Sequence, residues 1–389
     1  MPSLLRRMVA RDVNEPHRAS SPLELLFDLT FVAAVSQVSA RLAHAVEEGH
    51  VADALPTYLM VFFAIWWAWM NFTWFASAYD TDDALYRVLT FVQMAGALVL
   101  AAGVPAAFDG DFTTVTIGYL VMRVGLAAHW TRAAIAHPES RATSVRYAVG
   151  ISLLQVLWLA RLALPDGGPV WVFLVLVVLE LSVPSIAERA GATAWHPHHM
   201  AERYSLFTII LLGESVLAST NAVQDAVEHG LSGELVTIAL AGLGILFMLW
   251  WIYFSEPAGE GLAARRDLSF VWGYGHYLIF AALAAVGAGL ETAVVSASHH
   301  GEVGPRTVAA AVAVPIAVVL VMLWALHAPM SRPVVRLEFT GLTAVLLLVS
   351  MFAAPAIGVA ATLVIVAALL VLLTATTFFS RRGSAAASP

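Results

Sequence analysis

The sequence has no cysteine, and all 20 residues in its Lys+Arg count are arginine. Without thiols, disulfides, thiolate metal sites and cysteine nucleophiles are excluded. The missing lysine fits codon bias in a GC-rich genome and carries no mechanism. Charge is scarce too: charged residues make up 12% of the 389 positions and apolar residues 60%, and the mean hydropathy is +0.80. That balance excludes an ordinary soluble domain, because most of the surface has to be solvated by lipid. Nothing supports nucleic-acid binding, and the net charge of -7 says little about partners because the charges segregate by membrane side. No nucleophile elbow, phosphate-binding loop, H-E-x-x-H pair or dinucleotide fingerprint stands in a supporting context. No cofactor is implied.

What the chain does have is long apolar runs. They are continuous and about twenty residues long, whereas membrane strands would alternate apolar and polar residues in segments of roughly ten. The expected fold is all-α, a polytopic transmembrane bundle of about twelve helices. The runs predict helices near 22–45, 55–78, 86–107, 113–134, 143–163, 169–187, 200–221, 234–255, 267–291, 306–328, 336–352 and 354–379. The last two are separated only at Ala354-Pro355. Residues 1–21 carry Arg6, Arg7, Arg11 and Arg18 without an apolar core, so they are expected as a cytoplasmic segment and not as a cleavable signal peptide. Residues 381–389 are expected to form a disordered cytoplasmic tail.

Orientation follows from the arginines. The N-terminus, the loops near Arg87, Arg132 to Arg146, Arg189 to Arg203, Arg265-Arg266 and Arg332 to Arg336, and the tail Arg381-Arg382 fall on one side. The opposite loops hold Glu47, Glu48, Asp109, Asp111, Asp225 and Glu228, with only Arg41, Arg161 and Arg306 near that surface. The positive-inside rule then puts both termini in the cytoplasm.

Two stretches resemble each other. Arg87 to Val92 with Gly96 matches Arg266 to Val271 with Gly275, and each follows an aromatic cluster, Trp66-Trp67 with Trp69 or Trp250-Trp251 with Tyr253. Glu24 and Glu202 stand similarly at the starts of helices one and seven. The expectation is a parallel six-plus-six repeat, with halves at 22–190 and 191–380.

Ser21-Pro22-Leu23-Glu24 has the form of a capping box with proline at the first helical position, which gives Glu24 a local structural role. Asp28 is one turn further on. Arg123, Glu180, Glu214 and His276 are flanked by apolar residues and fall deep in the hydrocarbon layer. A charge there costs roughly 2.5–3.5 kcal/mol on insertion scales, so these groups are expected to face the bundle interior and find partners. Arg123 needs an acid, with Glu180, Glu214 and Asp28 as candidates. The five together define either a polar intramembrane site or a structural ion-pair network. His276 can equally donate one structural hydrogen bond or shuttle protons. Asp80, Asp82 and Asp83 form an acidic cluster able to chelate a divalent cation, or to make a surface network with Arg87 and Arg265-Arg266. His196-Pro197-His198-His199 lacks partner ligands at metal-binding spacing. The identity of any metal stays open.

Taken together, Leu23 to Leu29 with Phe31 and Gln37, Trp66 to Trp69 with Thr73-Trp74, Asp80 to Asp83 with Arg87, His199 to Arg203, Leu212-Gly213-Glu214, Trp250 to Phe254 and His276 resemble the bacterial low-temperature-requirement A family. The resemblance implies a multi-helix membrane protein named for a cold-growth phenotype, and it brings no catalytic residues with it.

Three functions are compatible with this sequence. The first is a transporter-like protein whose halves enclose Asp28, Arg123, Glu180, Glu214 and His276. The second is a membrane-embedded enzyme acting on a lipid or lipid phosphate, with Asp80, Asp82 and Asp83 holding Mg²⁺. The third is a structural or sensing membrane protein. The major-facilitator signature between helices two and three is missing. The expected partners are the lipid bilayer and a small-molecule, ion or lipid substrate.

Overall fold

A computed structural model describes residues 5–13, 15, 18–165, 168–228, 230, 232–256, 258–298, 303–330 and 336–386, without the side chains of 225, 226, 228, 298 and 377–386. Among them the regular structure is entirely helical. The long helices are α1 (Pro22–Glu47), α2 (Val51–Ala78), α3 (Ala84–Phe108), α4 (Thr113–Ala136), α5 (Arg141–Arg161), α6 (Val170–Ala187), α7 (Pro197–Glu228) and α8 (Gly233–Phe254). A short α9 (Ala258–Ala264) follows, then α10 (Ser269–Ser298), α11 (Pro305–His327), α12 (Leu337–Ile357) and α13 (Val359–Ala386).

Eleven of the described helical stretches are long and apolar enough to cross a membrane. The long helix left out is α4, because Arg123, His129 and Arg132 interrupt its apolar run. The protein is a membrane-embedded bundle, and the expected helices are present with ends shifted by a few residues. The seven-residue α9 has too few residues to produce an apolar run that would mark it.

Local chemistry explains the helix ends. Ser21 and Glu24 close a reciprocal capping box, with the Ser21 amide donating to Glu24 Oε2 at 2.7 Å and the Glu24 amide donating to Ser21 Oγ at 3.3 Å. Asp83 caps α3 by accepting from the Tyr86 amide at 2.9 Å, and Ser232 caps α8 by accepting from the Leu235 amide at 3.1 Å. The break before α13 is not at Ala354-Pro355. Pro355 sits inside the last turn of α12 without ending it, and Gly358 ends the helix at φ +87°, a left-handed conformation open to glycine. At the far end α13 runs on to Ala386, through the segment expected as a disordered tail, on helix-favouring alanines. Residues 387–389 lie outside the described residues.

Contacts divide the chain into two compact units, one of Met1–Val38 with Thr57–Arg203 and one of Ser39–Pro56 with Tyr204–Pro389. In the first unit α3 and α4 are held together by a glycine seam. A Cβ on Gly96 would meet Met122 N at 2.7 Å and Gly118 O at 2.8 Å, and one on Gly118 would collide with Leu100 N, so the two backbones touch directly. An aromatic core lies beside the seam: Trp66, Trp67 and Trp69 of α2 are at most 1% exposed. In the second unit a Cβ on Gly275 of α10 would meet the side chain of Leu326 of α11 and not its backbone. The matched tryptophans differ too, since Trp250 and Trp251 are 47% and 41% exposed.

Candidate functional site

The first unit holds two buried ionic clusters of opposite character. The inner one is built on Glu180 of α6, which is wholly buried. Its Oε2 accepts from Arg123 Nη2 of α4 at 2.8 Å and from Trp67 Nε1 of α2 at 2.9 Å. Its Oε1 accepts from the Tyr119 hydroxyl at 2.8 Å, Trp158 Nε1 of α5 at 3.1 Å and Gln155 Nε2 at 3.5 Å. Four helices therefore converge on one carboxylate, and both of its oxygens are fully engaged. Such a group cross-links helices and has no lone pair left for a ligand.

The second cluster is a ladder between the starts of α1 and α7. Glu24 and Asp28 are four residues apart on α1, and His199 and Arg203 are four apart on α7, so each pair shares one helix face. On the first rung His199 Nε2 lies 3.0 Å from Glu24 Oε1, and on the second Arg203 Nη2 lies 2.5 Å from Asp28 Oδ1. Trp69 Nε1 also donates to Asp28 Oδ1 at 2.7 Å. The ladder extends outward through Arg18, 3.7 Å from Glu24 and 3.4 Å from Asp80, and through Arg11, 3.2 Å from Asp80. Glu24, Asp28, His199 and Arg203 are at most 1% exposed and Arg18 is 7% exposed.

Both clusters leave buried nitrogens without partners, Nε and Nη1 of Arg123 in the inner one, but the Glu180 carboxylate is saturated while the ladder leaves a carboxylate oxygen open. Asp28 Oδ2, Arg203 Nε and Nη1, Arg18 Nε and His199 Nδ1 are buried and make no hydrogen bond among the described residues. Buried polar groups of this kind are completed in a working protein by water, an ion or a substrate. The His199–Glu24 separation also allows direct proton exchange between imidazole and carboxylate.

Of the five residues expected in one site, Arg123 and Glu180 meet each other, and Asp28 takes Arg203. Glu214 and His276 belong to the second unit. Glu214 is 7% exposed and has no hydrogen bond or ion pair among the described residues. His276 has a structural setting: Nδ1 lies 2.7 Å from the Trp272 carbonyl and Nε2 lies 3.3 Å from the Tyr253 hydroxyl, among the rings of Tyr204, Trp272 and Phe280. Glu202 accepts from the Ser20 amide at 3.2 Å and so ties down the chain entering α1.

The acidic cluster after α2 is shared out among arginines. Asp82, at φ +45°, receives Arg87 through two bonds of 2.7 and 2.8 Å. Asp83 accepts from the Arg6 amide at 2.6 Å and from Arg132 Nη1 at 2.8 Å in addition to its cap. Asp80 faces Arg11 and Arg18, and Arg265 pairs with Asp267. Burial, reinforced by the charge of Glu24, pushes the Asp80 carboxyl up to about 6 despite its two arginines. Burial pushes Asp83 in the same direction, but the hydrogen bonds from Arg132 and two backbone amides outweigh it and bring the carboxyl down to about 2. Burial, helped by His198 and His199, lowers His196. Among the described residues no three His, Asp or Glu side chains gather as a metal site.

Three residues of importance were not singled out as site residues in the sequence: Arg18, His199 and Arg161. The matched four-residue spacings of Glu24/Asp28 and His199/Arg203 were the available signal for the ladder. Arg161, expected near water, is 4% exposed and lies over the rings of Phe112 and Phe173, at 5.0 and 5.6 Å.

The sequence pattern of the bacterial low temperature requirement A protein matches residues 19–378. The chain belongs to the bacterial low-temperature-requirement A family. An uncharacterized protein of Rhizobium meliloti (strain 1021) is 28% identical over 275 residues, which cover 67% of this chain and 65% of that protein. The match therefore spans just under two thirds of the relative's length. No solved structure matches. The match extends across both units and covers the clusters above except for Arg6, Arg11 and Arg18, and it adds no chemistry to them.

Proposed function

We propose that this family member is a transporter-like protein of the bacterial inner membrane, with both termini cytoplasmic, in which the Glu24–His199 and Asp28–Arg203 ladder carries a proton or holds a small charged solute. One observation supports this reading above the others: the ladder buries ionisable side chains and leaves the carboxylate oxygen Asp28 Oδ2 without a partner among the described residues. A carboxylate that served only to lock helices would have both oxygens engaged, as Glu180 does. The enzyme reading is weaker, because Asp80, Asp82 and Asp83 are each engaged by arginine. Glu214 is a second carboxylate of interest and is tested separately.

The purified protein is reconstituted into vesicles containing a pH-sensitive dye, and proton entry under an imposed potential is followed. Wild-type protein is expected to admit protons, and folded Asp28→Asn and His199→Gln to admit none. Unchanged entry in both variants would remove the ladder from the proposal, and an inert wild type in proton and solute assays would leave a structural or sensing role. Glu214→Gln in the same assay decides whether the second unit takes part. The absence of native cysteine makes orientation directly testable. Single cysteines at 49 and 230 are expected to label from outside intact cells and one at 81 is not, and the reverse pattern would invert the topology.

A further inference from the structure

Arg161 is the buried arginine whose charge no acid among the described residues answers. Arg123 has Glu180, Arg203 has Asp28 and Arg18 has Glu24 and Asp80, all within 4 Å. Arg161, 4% exposed, makes no ion pair, and its Nε has no hydrogen-bond partner. Its guanidinium is instead steadied by cation–π contacts with Phe112 and Phe173.

This arginine lines a small half-open recess of about 30 Å³ whose other walls are almost wholly apolar, among them Met60, Val61, Phe63, Val115 and Phe173. The walls come from the first two turns of α4, the first turn of α6, the last turn of α5 and residues 60–64 of α2, with Phe112 just before α4, so the recess lies toward the end of these spans that carries Phe112 and Arg161. A cation that no acid among the described residues answers, at the edge of an apolar recess near the membrane–water boundary, matches a ligand with one anionic end and one hydrocarbon end. A small inorganic anion would satisfy the guanidinium and leave the recess empty, while a neutral lipid would fill the recess and leave the charge unanswered.

We propose that this pocket is a binding site for an anionic amphiphile, with its phosphate or carboxylate on Arg161 and the start of its acyl chain against Phe63, Val115 and Phe173. The site is separate from the ladder and does not depend on the transport reading.

The test compares melting temperatures of the full-length protein in neutral detergent with added phosphatidylglycerol, phosphatidylcholine or inorganic phosphate, since a ligand of the folded state raises its stability. Phosphatidylglycerol is expected to raise the wild-type and Arg161→Lys melting points by several degrees more than phosphatidylcholine does, and to show no such preference for Arg161→Gln. An equal shift with both lipids, or a preference that survives in Arg161→Gln, would overturn the proposal. Inorganic phosphate giving the full shift would reduce the site to one for a free anion and overturn the amphiphile. Should Arg161→Gln fail to fold, Ala64→Phe, which fills the recess and spares the guanidinium, is expected to remove the preference, and its persistence would be equally decisive against the site. Native mass spectrometry of the wild type gives an independent reading, with retained phosphatidylglycerol expected and its absence adverse.

Discussion

Glu180 and Asp28 are both buried carboxylates facing an arginine and an indole N–H, yet one is closed and the other open. Glu180 takes five donors on two oxygens. Asp28 takes both of its donors on Oδ1, and Oδ2 takes none. The same α2 helix serves both, with Trp67 turned to one carboxylate and Trp69 to the other. Intramembrane charge alone therefore does not distinguish a helix lock from a working group, and the tally of satisfied lone pairs does.

The sharpest way to break this contrast is to exchange each carboxylate for its amide. In Glu180→Gln the new NH₂ faces donors whichever way it turns, so a loss of about 3–5 kcal/mol is expected, read as a large fall in melting temperature. In Asp28→Asn the NH₂ can take the place of the unpartnered Oδ2, and the expected loss is nearer about 1 kcal/mol, with proton entry abolished. Equal destabilisation by the two amides would mean that the open oxygen is not open.

Removing single indole donors refines the comparison. Trp67→Phe and Trp69→Phe are each expected to cost about 1 kcal/mol for the lost hydrogen bond, with only Trp69→Phe changing proton entry in vesicles. A flux defect confined to Trp67→Phe would move the working site to Glu180.

The smallest expected effect is on pH. Asp80 has a folded-state value near 6, above its ordinary 3.8, so its contribution to stability is fully present below about 4 and declines as pH rises through 6. Asp83, lowered to about 2, contributes stability above about 4 that is lost as pH falls toward 2. Thermal melts between pH 4 and 7 are expected to show a shallow decline that Asp80→Asn flattens and Asp83→Asn leaves in place.

The positions of the helices were legible in the sequence because lipid demands long apolar runs, and Pro22 marks the start of α1 by local chemistry, whereas the Asp83 cap and the break at Gly358, expected at Ala354-Pro355, were not read. The capping box at Glu24 and the need of Arg123 for an acid were legible for the same reason, since each follows from the residue and its nearest neighbours. The choice of Glu180 over Asp28 or Glu214 was not legible, because it depends on how α4 and α6 pack across 57 residues of chain. Arg161 had the spacing of an interfacial arginine, and only the approach of Phe112 and Phe173 buries it. The tryptophan pairs carry a similar lesson: Trp66-Trp67 and Trp250-Trp251 look alike in the sequence, but neighbours decide that one pair is core and the other exposed.

The glycine seam between α3 and α4 also bears on how the protein is made. With Arg123, His129 and Arg132 in one span, α4 partitions poorly into lipid by itself, each central arginine costing roughly 2.5–3.5 kcal/mol. Gly96 and Gly118 let the apolar α3 press its backbone against α4 with no side chain between them, so the two can leave the translocon as one hairpin, α4 carried in as the passenger of α3. Bulk added at Gly118 would then be felt first during synthesis, as α4 left stranded on the wrong side of the membrane in nascent chains.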